Sequence, residues 1–265
     1  MKLEVIHRAP EGADRPTPLL FVHGAWHGAW YWDEFFLPYF AKQGYDSYAL
    51  SLRGHGESEG HERLRWSSAN QYVEDVAQVA GELPAPPVVI GHSMGGFVVQ
   101  KYLETYKPPA AVLLASIPPS GSLYFLLRAT LRYPLAMLKA TVTMRAYPVI
   151  QTPEMARHWF FSPDLPDEQV RRYHARAQDE SFRMIFDTAL LALPHTKKIR
   201  QSGTPLLVLG AENDKIFLQG EVRATARAYA VKAEFFPNMA HDMMLEKDWQ
   251  AVADRIISWL DEQGL

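Results

Sequence analysis

Three residues of this chain sit in patterns suited to nucleophilic attack on a carbonyl carbon: Ser93, Asp214 and His241. Ser93 is the centre of Gly91-His92-Ser93-Met94-Gly95, a G-x-S-x-G pattern that follows the apolar run Pro87-Val88-Val89-Ile90 and opens a helical stretch, Met94 to Tyr106. A strand that turns this sharply into a helix holds its central residue in a strained conformation. Small neighbours let the two elements approach, and the helix N-terminus offers its positive end to developing negative charge. A chance match in a loop would lack the strand before it, the helix after it and the further glycine, Gly96.

A serine of this kind needs a base and an acid to orient the base, and with this motif they follow along the chain in that class's order: serine, acid, histidine. The acid is expected in Gly210-Ala211-Glu212-Asn213-Asp214, after the run Pro205 to Leu209; Asp214 is the first candidate and Glu212 the fallback. His241 is the only histidine after Asp214, in Asn238-Met239-Ala240-His241-Asp242, so it is the expected base. Asp242 adjoins it and is expected not to turn back onto it. His92, beside the nucleophile, reads as structural.

A tetrahedral intermediate also needs two donors aimed at its oxyanion. The backbone N–H of Met94, next after the serine, should be one. The backbone N–H of Ala25, in His23-Gly24-Ala25-Trp26 after the run Leu19 to Val22, should be the other. His23 and His27 are four residues apart but flank a glycine in a loop with no third ligand nearby, so no metal is expected there. No cofactor is expected either.

The elements that must hold these residues are readable as short apolar runs alternating with amphipathic stretches. Candidate strands are the alternating Met1 to Arg8, then Leu19 to Val22, Tyr45 to Leu50, Pro87 to Ile90, Ala110 to Ala115, Pro205 to Leu209 and Ala233 to Phe236. Unbroken apolar runs of this length are the mark of buried parallel strands. Helical spacing covers Gln71 to Leu83, Met94 to Tyr106 and a C-terminal stretch with Trp249, Val252, Ile256, Trp259 and Leu260 on one face. Gly44 is a helix stop, and Pro38 delays the start of that helix to about Leu37. The alternation predicts an α/β fold, a mostly parallel sheet with helices on both faces. Residues 118–186 break the rhythm: they hold helical patches and many large apolar side chains but no buried strand. They are expected to form a helical cap inserted over the sheet's carboxyl edge, between a first part of the core at 1–117 and a second at 187–265.

Bulk properties agree with an enzyme of small molecules. The chain has 265 residues, 48% of them apolar and 22% charged, enough for a full core. A net charge of −3 gives no sign of a nucleic-acid partner. There is no cysteine, which excludes disulfides, thiolate metal sites and a cysteine nucleophile. No signal-like apolar stretch opens the sequence and no run is long enough to span a bilayer, so the expectation is a cytoplasmic protein without integral membrane contact. Oligomeric state is not readable.

With these motifs in place the chain resembles the α/β-hydrolase superfamily over nearly its whole length outside the insertion. His23-Gly24-Ala25-Trp26-His27-Gly28-Ala29-Trp30 is similar to the opening of the esterase and hydroxynitrile-lyase branch. Together with Leu52-Arg53-Gly54-His55-Gly56-Glu57-Ser58 it also resembles lysophospholipase-like and monoacylglycerol-lipase-like hydrolases. The resemblance implies the α/β-hydrolase fold, with Ser93, Asp214 and His241 as a triad. Many relatives carry Asp where this chain has Ser51, and the sheet is expected to be short at its start; Arg53 and His55 are expected to be structural. Dehalogenase and epoxide-hydrolase relatives place Asp at the nucleophile position, which Ser93 argues against. Lyases of the related branch carry Lys directly after the histidine; Asp242 favours an esterase.

The resulting expectation is hydrolysis of a small-molecule carboxylic ester, with a lipophilic or medium-chain acyl group, through an acyl-enzyme on Ser93. The same triad also suits carbon–carbon bond hydrolysis or acyl transfer, and a slow-turnover ligand receptor would share the motifs. Fold alone does not choose among them.

Overall fold

The computed structural model describes residues 1–12 and 15–265. Among these, seven strands form one sheet: β1 (Val5–Arg8), β2 (Leu19–Val22), β3 (Ser47–Leu50), β4 (Val88–His92), β5 (Ala111–Leu114), β6 (Leu206–Ala211) and β7 (Ala233–Phe236), in the order β1-β3-β2-β4-β5-β6-β7. Only β1 runs antiparallel to its neighbour, β3; the other pairings are parallel. The chain steps from β2 outward to β3, then crosses back to lay β4 on the other side of β2. The crevice above the carboxyl ends of β2 and β4 is therefore a topological switch point, where open parallel sheets bind ligands.

The strands follow the apolar runs, and β2, β4 and β5 are buried along their whole length. The last strand departs from expectation. β7 is half-buried at every position rather than a core strand, because it closes the sheet on one edge and has a partner only in β6.

Helices α1 (Trp30–Asp33) and α2 (Phe36–Lys42) follow β2, and Pro38 falls in the first turn of α2, where its missing N–H has no partner to lose. Helix α3 (Ala69–Glu82) starts two residues before the predicted Gln71 because Ser68 and Gln71 form a capping box. It buries Tyr72, Val76 and Val79 at helical spacing. Helix α4 (Met94–Tyr102) springs directly from β4 and is buried on nearly every face; it ends before the predicted Tyr106, the chain continuing as turns.

Between β5 and β6 lie α5 (Leu123–Arg132), α6 (Pro134–Thr143), a 3-10 turn (Tyr147–Ile150), α7 (Pro153–Phe160), α8 (Asp167–His174) and α9 (Phe182–Phe186). No break occurs at 186: α9 runs straight into a π-helical turn, Asp187–Leu191, before α10 (Thr196–Ser202). Asp187 anchors that turn, accepting from the Ala69 amide at 2.9 Å and from Arg183 Nε at 2.7 Å. Helices α11 (Gln219–Ala228) and α12 (Trp249–Gln263) complete the chain.

The segment between β5 and β6 is tied to the body by buried and part-buried polar contacts. Gln178 donates to the Gly54 carbonyl and accepts from the Gly56 amide, both at 2.9 Å, while its own amide donates to Trp26 O. Ser162 donates from its amide and its hydroxyl to the two oxygens of Glu246, each at 2.6 Å. Among the described residues no helix is long and apolar enough to cross a membrane.

Candidate active site

Ser93 sits at the turn from β4 into α4 with φ 54° and ψ −117°, a left-handed backbone that non-glycine residues rarely adopt. Both glycines of the motif are required by close approach. A Cβ on Gly91 would lie 2.5 Å from the Gly95 carbonyl oxygen, and one on Gly95 would lie 2.3 Å from the carbonyl oxygen of Val22. The helix thus packs onto the end of β4 and against β2 only because neither residue has a side chain. The Ser93 amide donates to Leu114 O at 3.0 Å, and its carbonyl accepts from Ile117 at 3.1 Å. The strained turn is held from the β5 side as well as by its own helix.

The structure brings Asp214 and His241 together. The two loops following β6 and β7 are bonded to each other, the Asn213 amide donating to Met239 O at 2.9 Å. Asp214 is buried, and its Oδ1 accepts from the amides of Ile216 at 2.7 Å and Phe217 at 3.0 Å. Those two bonds fix the carboxylate and turn Oδ2 toward His241 Nδ1, 2.8 Å away. Glu212, the fallback, is exposed to solvent. Burial alone would push the His241 imidazolium down, but the Asp214 charge, its hydrogen bond and the Asp242 charge together outweigh burial and raise its pKa above the ordinary 6.5. Among the described residues no hydrogen bond joins Ser93 Oγ to the His241 ring.

Ala25 and Met94 lie beside Ser93 on the wall of one cavity. Among the described residues neither backbone amide donates to a protein acceptor. The loop that carries Ala25 is held in an unusual shape, with Trp26 at φ 66°.

A chain of hydrogen bonds ties this loop to the His241 loop through His92. The Gly24 amide donates to Tyr31 Oη at 2.7 Å, and Tyr31 donates to His92 Nδ1 at 3.1 Å. His92 Nε2 donates to the His241 carbonyl at 3.0 Å. These partners assign the neutral tautomer, in keeping with burial, which pushes the His92 imidazolium well below its ordinary range. His23 is spent likewise, between Gly24 O at 2.8 Å and the Leu52 amide at 3.0 Å. His23 and His27 do not form a pair of free ligands. The only grouping of metal-ligating types among the described residues is His92, His241 and Asp242, and the His92 and His241 ring bonds just described already occupy a nitrogen of each.

Asp242 makes no hydrogen bond to the His241 ring. It is wholly buried beside it, a placement that sequence reasoning did not address. His27 Nε2 lies 3.2 Å from Asp242 Oδ2 and His92 Nε2 lies 3.8 Å from Oδ1, though neither carboxylate oxygen has a partner in hydrogen-bond geometry. Burial pushes its pKa up, but the neighbouring His27, His92 and His241 more than offset this and leave it lowered. His27 in turn reaches Ala25 O through Nδ1 at 2.7 Å and stacks on Tyr31. Asp242 thus joins the loop after β2 to the loop after β7. Glu180 was also missed. It is buried against His55 Nε2 at 3.0 Å and accepts from Tyr72 Oη at 2.8 Å, so His55 serves structure, as expected. Ser51, standing where relatives carry Asp, accepts from the Ala29 amide at 2.8 Å and donates to Glu4 at 2.5 Å, bracing the same loop.

The cavity beside Ser93 has a volume of about 320 Å³. Ser93, Met94 and Ala25 line it together with Phe125 and Leu126 of α5 and Met137 and Ala140 of α6. Its lining is almost all carbon; of its polar members, Ser122 Oγ is engaged with Thr188 Oγ1 at 3.0 Å and Glu180 with His55 and Tyr72 behind the wall, while Trp26 Nε1 has no protein partner among the described residues. The space accepts an apolar group and offers no charge to a ligand.

Residues 19–255 match the model of the alpha/beta hydrolase family. A monoacylglycerol lipase of Mycolicibacterium smegmatis is 26% identical over 228 residues, 80% of this chain and 77% of that protein. Protein phosphatase methylesterase 1 of Bos taurus is 39% identical over 112 residues, 40% of this chain but only 28% of that protein. Among solved structures, a carboxylesterase of the thaumarchaeon Nitrososphaera gargenis superposes with a TM-score of 0.75 at 16% identity, covering 99% of this chain and 95% of that one.

Proposed function

The chain belongs to the alpha/beta hydrolase family, and from that premise we propose that it hydrolyses carboxylic esters of lipophilic acyl groups through an acyl-enzyme on Ser93. His241 takes the proton of Ser93 Oγ through Nε2 as the oxygen adds to the ester carbonyl. Asp214, fixed by the Ile216 and Phe217 amides, holds the Nδ1 proton in place and stabilises the imidazolium that forms. The Ala25 and Met94 amides receive the oxyanion. Collapse of the intermediate breaks the bond to the alcohol oxygen, which takes the proton from His241 Nε2 and leaves. Water then adds to the acyl carbon with His241 again as base, and the carboxylic acid departs with Ser93 restored.

The observation that carries this reading is the apolar cavity that Ser93 helps to line, beside an acid–histidine pair and two unengaged amides. Residues 118–186 serve as the cap, and their inner face grips the acyl chain. The lipase and methylesterase names of the relatives, and Asp242 rather than Lys after His241, favour ester hydrolysis over the other reactions open to this triad. The test is direct. Wild-type enzyme should turn over p-nitrophenyl esters, and a fluorophosphonate should add to Ser93 in intact-mass and peptide analysis. Folded Ser93→Ala should lose on the order of 10⁴-fold or more in kcat. Full activity in that variant overturns the mechanism.

A further inference from the structure

The helical hairpin that helps to line the cavity has a second face. Toward the body, α5 and α6 bury Phe125, Ala129, Ala136 and Ala140. Away from it they present Leu127 at 57% exposure, Leu131 at 76%, Leu135 at 80%, Leu138 at 60% and Val142 at 74%. Leu131 and Leu135 flank the corner between the two helices. The apolar surface continues past the N-terminus of α5: Ser122 is bonded to Thr188 of the π-helical turn, whose Leu190 and Leu191 are also mostly exposed. Single exposed leucines are ordinary, but a run of this kind on one element marks an interaction site.

Charge gives the chemistry of the partner. The chain as a whole carries −3, yet between Glu104 and Glu154 it has no acidic residue and five basic ones: Lys107, Arg128, Arg132, Lys139 and Arg145. Arg128 and Arg145 are paired with Glu221 and Asp179. Arg132 and Lys139, both exposed and set among the leucines, meet no carboxylate among the described residues; Arg132 lies over Tyr133 and Lys139 reaches only Gln151. Docking of this face on a second copy would bring these cations toward each other with no acid on the hairpin to balance them. An apolar ridge studded with free cations is instead complementary to a surface that is apolar within and anionic at its headgroups.

We propose that the outer face of the α5–α6 hairpin docks this protein on anionic lipid bilayers, lying in the interface without spanning it. The same two helices then touch lipid on one side and line the acyl cavity on the other. The proposal adds a source of substrate to the ester-hydrolase reading, but the docking itself does not depend on which bond is cleaved.

The experiment reads binding apart from turnover. Full-length Ser93→Ala protein is floated with phosphatidylcholine vesicles and with mixed phosphatidylcholine–phosphatidylglycerol vesicles. It should bind the mixed vesicles, and less so as salt rises. Arg132→Glu with Lys139→Glu should weaken that binding roughly 30-fold or more, each of the two basic residues being worth about fivefold near an anionic surface. Leu131→Ser, Leu135→Ser and Leu138→Ser together should abolish binding to the mixed vesicles. None of these residues lines the cavity, so in the Ser93 background both sets should leave hydrolysis of a soluble p-nitrophenyl ester unchanged. Absence of vesicle binding overturns the proposal, as does binding that neither variant disturbs. A dimer in sedimentation velocity that the leucine variant dissolves also overturns it, assigning the face to a second copy. Failure of the ester assay with vesicle binding intact would strike the chemistry and not the surface.

Discussion

Replacing Ala140 by Leu should shorten the acyl chain that the enzyme prefers without harming its chemistry. Ala140 sits on α6, lines the cavity and is far from Ser93 in the sequence. The cavity holds about 320 Å³ and is lined almost wholly by carbon, so each substrate methylene that enters leaves water for an apolar wall. At about 0.8 kcal/mol per methylene, kcat/KM should climb roughly fourfold per carbon, or some ~200-fold from acetate to hexanoate, until the space is full. Leucine adds three carbons to the alanine side chain, all directed at the same space. The wild-type rise should therefore break off about three carbons earlier in the variant, with acetate and propionate esters unaffected. The assay is kcat/KM over a p-nitrophenyl series from acetate to decanoate for both proteins. A thermal melt accompanies it, because overfilling a packed region costs about 1–3 kcal/mol. Parallel wild-type and variant profiles would show that acyl chains do not occupy this cavity. A loss of equal size at acetate would show that leucine acts on the fold or the triad instead, and either result refutes the reasoning.

Asp214→Asn should lower kcat roughly 10⁴-fold by favouring the wrong His241 tautomer, while Glu212→Gln, at an exposed position, should change it little; the reverse order in a steady-state assay would reassign the acid. Because His241 must be neutral to act as base and its pKa is raised above 6.5, kcat/KM should fall on acidification with its midpoint above that value. Asp242→Asn, which removes a charge that favours the imidazolium, should move this acid limb to lower pH; a pH–rate profile with an unmoved limb would remove Asp242 from the account. Glu180→Ala leaves His55 and Tyr72 facing a void and should cost about 3–5 kcal/mol in urea denaturation. His55 is buried, which lowers its pKa, but the Glu180 charge and hydrogen bond reverse this and raise it. The stabilisation from that pair is thus full below the unfolded value near 6.5 and is lost as pH rises through the folded one, a slope that Glu180→Gln should flatten.

The parts of the site legible from sequence are those that local pattern governs. Ser93 is marked by flanking glycines whose lack of side chains is required by close approach, of Gly91 to Gly95 within the motif and of Gly95 to Val22 of β2. Asp214 and His241 are marked by their places after late apolar runs. What could not be read are contacts between residues far apart in the chain with no local signature. Glu180 is a buried acid in a polar stretch, and its partners His55 and Tyr72 lie more than a hundred residues away. Asp242 has the same flanking sequence whether it faces water or three histidines, and only the packing of the loop after β2 decides. The half-buried state of β7 was hidden for a related reason, since Ala233-Glu234-Phe235-Phe236 is apolar enough for a core strand and its edge position follows from strand order alone.

The seam between the β5–β6 segment and the rest of the fold bears on how such a protein could diversify. The insertion leaves after β5 and returns before β6, so its length and helices could be exchanged without altering the order of strands. The seam is nonetheless polar and keyed: Gln178 reads the backbone of Gly54 and Gly56, Glu180 answers His55 and Tyr72, Ser162 answers Glu246, and the Phe160 carbonyl takes the amide of Asp242. A foreign segment grafted at the two junctions would leave these groups without partners. A successful chimera must carry the partners with it, so recombination here should move the segment together with the loops after β2, β3 and β7 as one unit.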